Sequence, residues 1–131
     1  MSISQVKEFH EKFGLPTGES DCLTTNMAVA EFRLAFMQEE LDEFEEASLC
    51  SDRVKMFDAL LDLAYVVYGT ALFMGISPTQ WEEGMAAVQK ANMSKVRATD
   101  DSSKRGTSLD VVKPEGWVGP EEELARILGE E

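Results

Sequence analysis

The sequence predicts an all-α fold, a bundle of four main helices followed by a short fifth helix. Proline and glycine fall almost entirely between segments with helical periodicity. The chain shows no hairpin turn signal, no sustained alternation of polar and apolar residues, and no internal repeat. With 44% hydrophobic and 28% charged residues it has an ordinary globular composition, and its 131 residues suit one domain spanning 1–131.

The first two helices are bounded by loop residues. A short helix over residues 4–13 should stop at Gly14. After a loop, a long helix should begin with Thr24 or Thr25 as its cap and continue to about Ala47. We therefore expect two helices in the first 47 residues.

The later helices have clearer end signals. The third should start at Ser51 or Asp52 and end at Gly75, since glycine commonly follows a helix. Ser77 then caps a fourth helix that has proline in its first turn and runs to about Val96. A loop over residues 98–119 leads to the last helix, which opens at residue 120.

The net charge of -13 is the unusual quantity. It predicts repulsion from nucleic acids and anionic membranes, so neither is expected as a partner, and it favours bound cations. The segment 86–113 is the exception, because its basic residues outnumber its three aspartates. These basic residues are Lys90, Lys95, Arg97, Lys104, Arg105 and Lys113.

Location and redox state follow from what the sequence lacks. The first 14 residues contain no apolar signal-peptide core, which predicts a cytoplasmic protein. Cys22 and Cys50 have neither disulfide-framework nor zinc spacing, so both are expected to be reduced thiols. Residues 63–74 carry no charge but are too few to span a membrane, and they predict a buried core helix.

The second helix carries an acidic group beside an apolar stripe. Glu39, Glu40 and Glu43 share one arc of the helix and border the core. The stripe itself contains Ala30, Leu34, Met37, Leu41 and Phe44. Taken alone, such acids would form a solvated face.

The third helix changes that interpretation. Apolar residues surround it on all sides, yet Asp58 and Asp62 lie one turn apart on it. Buried carboxylates need a compensating cation. Either Lys55 or Arg33 provides it, or the aspartates and the three glutamates form an all-oxygen site for Mg²⁺ or Mn²⁺.

The fourth helix adds polar residues to its inward stripe. Asn92 and Lys95 share that stripe with Trp81, Met85 and Val88. Lys95 is either a helix C-terminal charge or a phosphate contact, and Asn92 then suits a sugar or base contact. No P-loop, dinucleotide fingerprint, nucleophile elbow or zinc-protease motif occurs, and the lone His10 is expected at the surface or at a pocket edge.

Three segments resemble the all-α nucleoside triphosphate pyrophosphatases, the MazG-like group that includes phosphoribosyl-ATP pyrophosphohydrolase and dimeric dUTPases. They are "RLAFMQEELDEFEEA", "KMFDALLDLAYVVYGTALFMGI" and "VQKANMSKV", and the tail "VVKPEGWVGPEEELARIL" resembles a bacterial and phage branch. The group's motif is E-E-x-x-E followed by E-x-x-D. Glu39, Glu40, Glu43 and Asp62 match it, whereas Ala59 stands where the second glutamate belongs and Asp58 lies one position earlier.

The resemblance implies metal-dependent hydrolysis of a nucleoside triphosphate to monophosphate and pyrophosphate, by a homodimer or homotetramer in a bacterial or phage-infected cell. Glu39 or Glu40 would orient the attacking water, and Glu39, Glu40, Glu43, Asp58 and Asp62 would hold Mg²⁺ or Mn²⁺. Asn92, Lys95, Arg97, Lys104, Arg105 and Lys113 would contact the substrate, with Lys95 also stabilising developing charge.

Because its tail resembles the phage branch, the resemblance further implies dGTP as the preferred substrate, as in small phage dGTP pyrophosphohydrolases, with dUTP or dCTP as alternatives. The aromatic residues Phe9, Phe13, Phe32, Phe36 and Trp81 are candidates for a base pocket, although each also suits the core. Two rival functions stay open: a non-catalytic metal- or nucleotide-binding bundle, which Ala59 favours, and an acidic interaction protein, which the net charge favours.

Overall fold

The computed structural model describes residues 2–130 and confirms the all-α class. Five helices occur in this part of the chain, together with one antiparallel pair of two-residue strands. The helices are α1 (Ile3–Phe13), α2 (Met27–Leu49), α3 (Arg53–Phe73), α4 (Pro78–Met93) and α5 (Glu121–Leu128). The strands are β1 (Val96–Arg97) and β2 (Val111–Val112).

Two helix ends differ from the sequence prediction. Asn26, not a threonine, caps α2: its side chain accepts a hydrogen bond from the Val29 N–H at 3.3 Å. The predicted cap Thr24 is held in the loop, where its N–H donates to Asp21 Oδ1 at 3.0 Å. Helix α4 ends at Met93, because Val96 already belongs to β1.

The described chain forms two compact units, one ending at Trp81 and the other beginning at Glu82. In the first unit, α2 packs antiparallel to α3, and α1 packs on α3. Its core is formed by Ile3, Val6, Ala71 and Leu72. The first unit therefore centres on the α2–α3 hairpin.

The buried face of α2 is not the predicted apolar stripe. Leu34 is 64% exposed and Leu41 is 48% exposed. The buried residues are Arg33, Glu40 and Ala47, which recur every seven residues and therefore lie on one side of the helix. The prediction was wrong because the periodicity of apolar residues does not show whether they face the core or the solvent.

Helix α3 is long and apolar enough to cross a membrane by length and composition, a test that core helices of soluble proteins also pass. It packs against α1 and α2, but it is not buried all round as predicted. Val54, Phe57, Leu60 and Leu61 are exposed near its N-terminal half. Val54, Phe57 and Leu60 line one open cleft with Phe44 of α2, and we call these four residues the apolar face of the first unit.

The second unit is organised by α4, the strand pair and α5. Val96 pairs with Val112, and Arg97 pairs with Val111. Ala87 and Ala91 of α4 are buried. Asn92 is exposed, so its predicted inward orientation was wrong.

Candidate active site

Three carboxylates converge between α2 and α3. Ligand oxygens of Glu40, Glu43 and Asp62 all lie within 4.8 Å of one another. Glu40 and Glu43 are three residues apart on α2, so their side chains share a face of that helix. Asp62 reaches the same point from α3, and the hairpin thus brings together three of the five acids expected to bind metal.

Glu40 has the most unusual environment of the three. Glu40 is 8% exposed. Its Oε2 atom is the one fully enclosed side-chain oxygen or nitrogen in residues 2–130 that has no hydrogen-bond partner. Burial, followed by the charges of Glu43, Asp62 and Glu39, raises the pKa of Glu40 to about 7. Burial, and then the charge of Asp58, also raises the pKa of Asp62.

No cation of the described chain neutralises this group. Lys55 and Arg33, the two candidates from the sequence, form no ion pair with any of the three acids. Arg33 instead donates from Nε to Thr70 Oγ1 at 3.1 Å and from Nη2 to the Val66 carbonyl at 2.9 Å. Neutralising these carboxylates therefore requires a cation from outside the described chain.

The other two predicted metal ligands lie outside the convergent group. Glu39 is exposed on α2, beside Glu40. Asp58 is exposed as well, although the sequence predicted it to be buried. It lines a cleft of about 300 Å³ together with Glu43 and the buried Ala59. Ala59 contributes no oxygen where the MazG-like motif has glutamate.

This donor set fits a hard divalent cation. It offers only oxygen atoms from converging carboxylates, and one of these oxygens is enclosed and without a partner. Mg²⁺ and Mn²⁺ prefer such ligands and retain further positions for water or phosphate oxygens. We refer to Glu40, Glu43 and Asp62 as the acidic cluster.

A second polar feature of the first unit surrounds Arg33. The residue is 5% exposed, and its guanidinium carbon lies 4.6 Å from the ring centre of Phe73. Phe36 and Phe32 follow at 5.3 Å and 5.6 Å. Burial lowers the pKa of Arg33, but a guanidinium remains charged at neutral pH.

His10 lies beside this guanidinium. It is buried, contrary to the surface position predicted for it, although a pocket edge was the other expectation. Its Nδ1 lies 2.6 Å from the Pro16 carbonyl, which can only accept, so Nδ1 carries the proton. In the neutral ring, Nε2 is consequently an acceptor.

Both side chains line a partly open cavity of about 220 Å³, which we call the aromatic cavity. Its aromatic walls are Phe9, Phe32, Phe36, Tyr65 and Phe73. Phe13 and Trp81, also candidates for a base pocket, do not line this cavity. Phe13 packs against Phe9 with the ring planes tilted by 56°, and Trp81 packs against Tyr68. The volume equals that of about seven water molecules, which suits one flat ring system.

The predicted phosphate-binding residues lie in the second unit and differ in the contacts that their side chains make. Arg105 pairs with Asp110 at 2.8 Å, and Arg97 Nε donates to the Ser108 carbonyl. Lys104 is exposed. Lys95 and Lys113 both lie about 5 Å from the ring centre of Trp117, at 5.2 and 4.9 Å respectively.

The sequence profile of the phosphoribosyl-ATP pyrophosphohydrolase family matches residues 6–92. The chain belongs to this family. The match includes α2 and α3 and thus the whole acidic cluster. Beyond it lie the residues that we call the basic tail, namely Lys95, Arg97, Lys104, Arg105 and Lys113. No curated protein matches the chain at a significant level.

Family membership makes the chain a pyrophosphohydrolase, a hydrolase that acts on a nucleotide phosphoanhydride. Members of this family typically depend on a divalent metal, and the acidic cluster is able to bind one. The resemblance inferred from the three sequence segments is thereby confirmed at the level of the family.

Sequence reasoning missed three residues of this region. Arg33 was considered only as a partner for an aspartate, and His10 and Thr70 received no role beside it. The seven-residue spacing of Arg33, Glu40 and Ala47 is the signal that could have placed Arg33 on the buried side of α2.

Proposed function

We propose that the chain is a metal-dependent nucleoside triphosphate pyrophosphohydrolase that cleaves between the α and β phosphates and prefers dGTP. The observation that carries this proposal is the convergence of Glu40, Glu43 and Asp62 around an enclosed, unpartnered oxygen, within the segment that matches the family. The products are the nucleoside monophosphate and pyrophosphate.

The acidic cluster would hold Mg²⁺ or Mn²⁺, which supplies positive charge to the triphosphate, polarises a phosphoryl oxygen and acidifies the attacking water. Glu39 stands outside the cluster and is exposed, so its carboxylate is available to orient that water or accept its proton. Asp58 would complete the ligand set from the adjoining cleft.

The basic tail would contact the phosphates. Lys95 is assigned to the developing negative charge, with Arg97, Lys104, Arg105 and Lys113 as further contacts and Asn92 as a contact to the sugar. These assignments rest on the sequence resemblance and on the local excess of positive charge.

The aromatic cavity is the proposed site for the base. Along α2, Arg33 precedes Glu40 by seven residues, which places it about 10 Å from the acidic cluster at 1.5 Å per residue. A nucleotide with its phosphates at the cluster can therefore reach the cavity with its base. Arginine donates well to guanine O6, and His10 Nε2 is able to accept from the adjacent guanine N1–H.

Hydrolysis of a nucleotide panel is the direct test of this function. We expect dGTP with Mg²⁺ or Mn²⁺ to give dGMP and pyrophosphate, with dUTP and dCTP cleaved at lower kcat/KM. Chromatography of the nucleotide products distinguishes this outcome from release of single phosphates. If no canonical nucleotide is turned over, the non-catalytic alternative that Ala59 favours would replace the proposal.

Gly69 provides a test of the base site. A Cβ added there would lie 2.7 Å from Arg33 Nη2 and 2.9 Å from His10 Nε2, so alanine must displace both groups. We expect Gly69→Ala to narrow the kcat/KM preference for dGTP over dCTP by about tenfold, because the hydrogen-bonding edge of the cavity is moved. Steady-state kinetics with both nucleotides measures this ratio.

Gly84→Ala is the matched control for that variant. It makes the same change in a helix, but the added Cβ atom would lie 3.5 Å from its nearest neighbour, Leu124 Cδ2, which is an ordinary van der Waals contact. Its preference for dGTP should equal that of the wild type. An unchanged ratio in Gly69→Ala would exclude the aromatic cavity as the base site.

We also propose that copies of the chain associate through the apolar face of the first unit. Val54 is 79% exposed and Phe57 is 63% exposed, and solvent-facing apolar groups of this kind usually mark an interface. Light scattering would show a dimer or tetramer of the 14.6 kDa chain, whereas a monomeric mass at micromolar concentration would refute this assembly.

A further inference from the structure

Two lysines of the second unit lie near the ring of Trp117. Its ring centre is 5.2 Å from Lys95 Nζ and 4.9 Å from Lys113 Nζ. The two ammonium groups are consequently no more than about 10 Å apart, and each is stabilised by the face of an indole ring. The local structure thus holds two like charges near each other.

The strand pair explains why these lysines meet. Val96 pairs with Val112 in antiparallel register. Lys95 precedes Val96 and Lys113 follows Val112, so these two lysines occupy the next pair of opposite positions. Like charges directly opposite each other across such a pair normally destabilise it. The arrangement therefore needs a compensating group.

That group is not a carboxylate of the described chain. The ion pairs within residues 82–130 join Arg105 to Asp110 and Arg126 to Glu123, and neither lysine takes part in one. Lys95 is half-buried and Lys113 is exposed, so an anion from solvent can approach both ammonium groups. Phosphate oxygens suit two neighbouring ammonium groups, since each lysine offers three donors.

Trp117 is held in place by the backbone on both sides. Its indole Nε1 donates to the Ala91 carbonyl at 2.9 Å, which ties the ring to the end of α4. Its backbone N–H donates to the Pro114 carbonyl at 3.1 Å and closes a tight turn. Gly116 occupies the third position of this turn at φ 76°, a conformation that glycine adopts without strain.

We propose that Trp117 is a positioning residue that holds Lys95 and Lys113 as a two-lysine clamp for the polyphosphate of the nucleotide. The ligand class rests on the proposed function, but the clamp lies in the tail beyond the family match. The ligands of the clamp are phosphate oxygens of pyrophosphate or of a nucleoside triphosphate. Trp117 acts on these ligands only through the two lysines and does not itself contact the phosphate.

Pyrophosphate binding in chelator-containing, metal-free buffer tests the clamp without requiring hydrolysis. Calorimetric titration of the full chain should show binding that weakens as salt rises. We expect Lys95→Met and Lys113→Met each to weaken it about tenfold, because each removes one charge-assisted contact. Trp117→Leu should weaken it by a similar factor, whereas Trp117→Phe, which keeps an aromatic face, should lose less.

Lys12→Met is the control for charge alone, since Lys12 is exposed and lies over an aromatic ring, that of Phe13 at 5.5 Å, on α1 outside the second unit. It should change the affinity less than twofold. Equal losses in Lys12→Met and Lys95→Met would show a general charge effect and overturn the clamp.

The clamp would also be refuted if Trp117→Leu bound pyrophosphate as tightly as the wild type, or if the wild type did not bind it. Circular dichroism establishes that each variant retains its helices, and the lysine variants test the clamp even if Trp117→Leu does not fold. Because no metal is present, these results are independent of whether any nucleotide is hydrolysed.

Discussion

The Asp62→Asn variant is expected to lose at least about 100-fold in kcat with dGTP while keeping the helical signal of the wild type. Asp62 is the member of the acidic cluster that α3 contributes, so its charge is needed to bring α2 and α3 to the same cation. Asparagine has nearly the same shape but lacks the charge and one of the two carboxylate oxygens. The loss should therefore come from the site and not from the fold.

Asp42→Asn is the matched control, because it makes the same chemical change on the exposed surface of α2. Asp42 accepts a hydrogen bond from Gln38 at 2.8 Å and belongs to no convergent group of acids. Its kcat should stay within twofold of the wild type. Full activity in Asp62→Asn across a titration of Mg²⁺ and Mn²⁺ would refute its role as a ligand.

Much of the first unit could be predicted from the sequence, because its helix ends depend on local chemistry. Asp52 caps α3 as expected, accepting from the Lys55 N–H at 3.0 Å, and proline opens α4. The acidic cluster could be predicted for a similar reason, since two antiparallel helices with acids at matched positions must bring those acids together.

The orientation of α2 could not be predicted in this way. Its hydrophobic residues lie on more than one side, and the side that is buried carries Arg33 and Glu40. A periodicity analysis assigns the charged residues to solvent. Here, aromatic rings surround Arg33, and the carboxylates of Glu43 and Asp62 lie beside Glu40. Functional sites often break the rule that charged residues lie outside.

The strand pair and the lysine clamp were also beyond sequence reasoning. Strands of two residues show no alternation that could be detected. The contact between Trp117 and Lys95 depends on a turn and on a register that residue spacing does not encode. The basic tail was therefore predicted as a set of charges, but its internal geometry was not.

The same carboxylates that favour a cation should make the metal-free protein less stable as the pH rises. Burial and neighbouring charges raise the pKa of Glu40 from an ordinary 4.5 to about 7. Between these values the folded state holds a proton that the unfolded state has released, so raising the pH favours unfolding. The free energy of unfolding should fall by no more than about 3 kcal/mol between pH 4.5 and 7, since neighbouring acids share this titration and solvent screens their charges. The raised pKa of Asp62 changes the free energy of unfolding in the same direction.

Urea unfolding in a chelator at pH 5, 6, 7 and 8 measures this dependence. Glu40→Gln removes the titrating group and should flatten the curve, so that the variant exceeds the wild type in stability at pH 8. Glu45→Gln, an exposed change on the same helix, should leave the slope as it is. A wild-type slope in Glu40→Gln would show that another group is responsible.

Adding Mn²⁺ or Mg²⁺ should reverse the effect. A cation binds the ionised carboxylates and not the protonated ones, so the rise in Tm on adding metal should grow from pH 5 to pH 8. A bound ion would remove the mutual repulsion of the cluster, and the enclosed Glu40 Oε2, which has no hydrogen-bond partner, would be available to it as a ligand. In Glu40→Gln and Asp62→Asn that metal-dependent rise should be small at every pH, although both variants should be more stable than the wild type in chelator at pH 8.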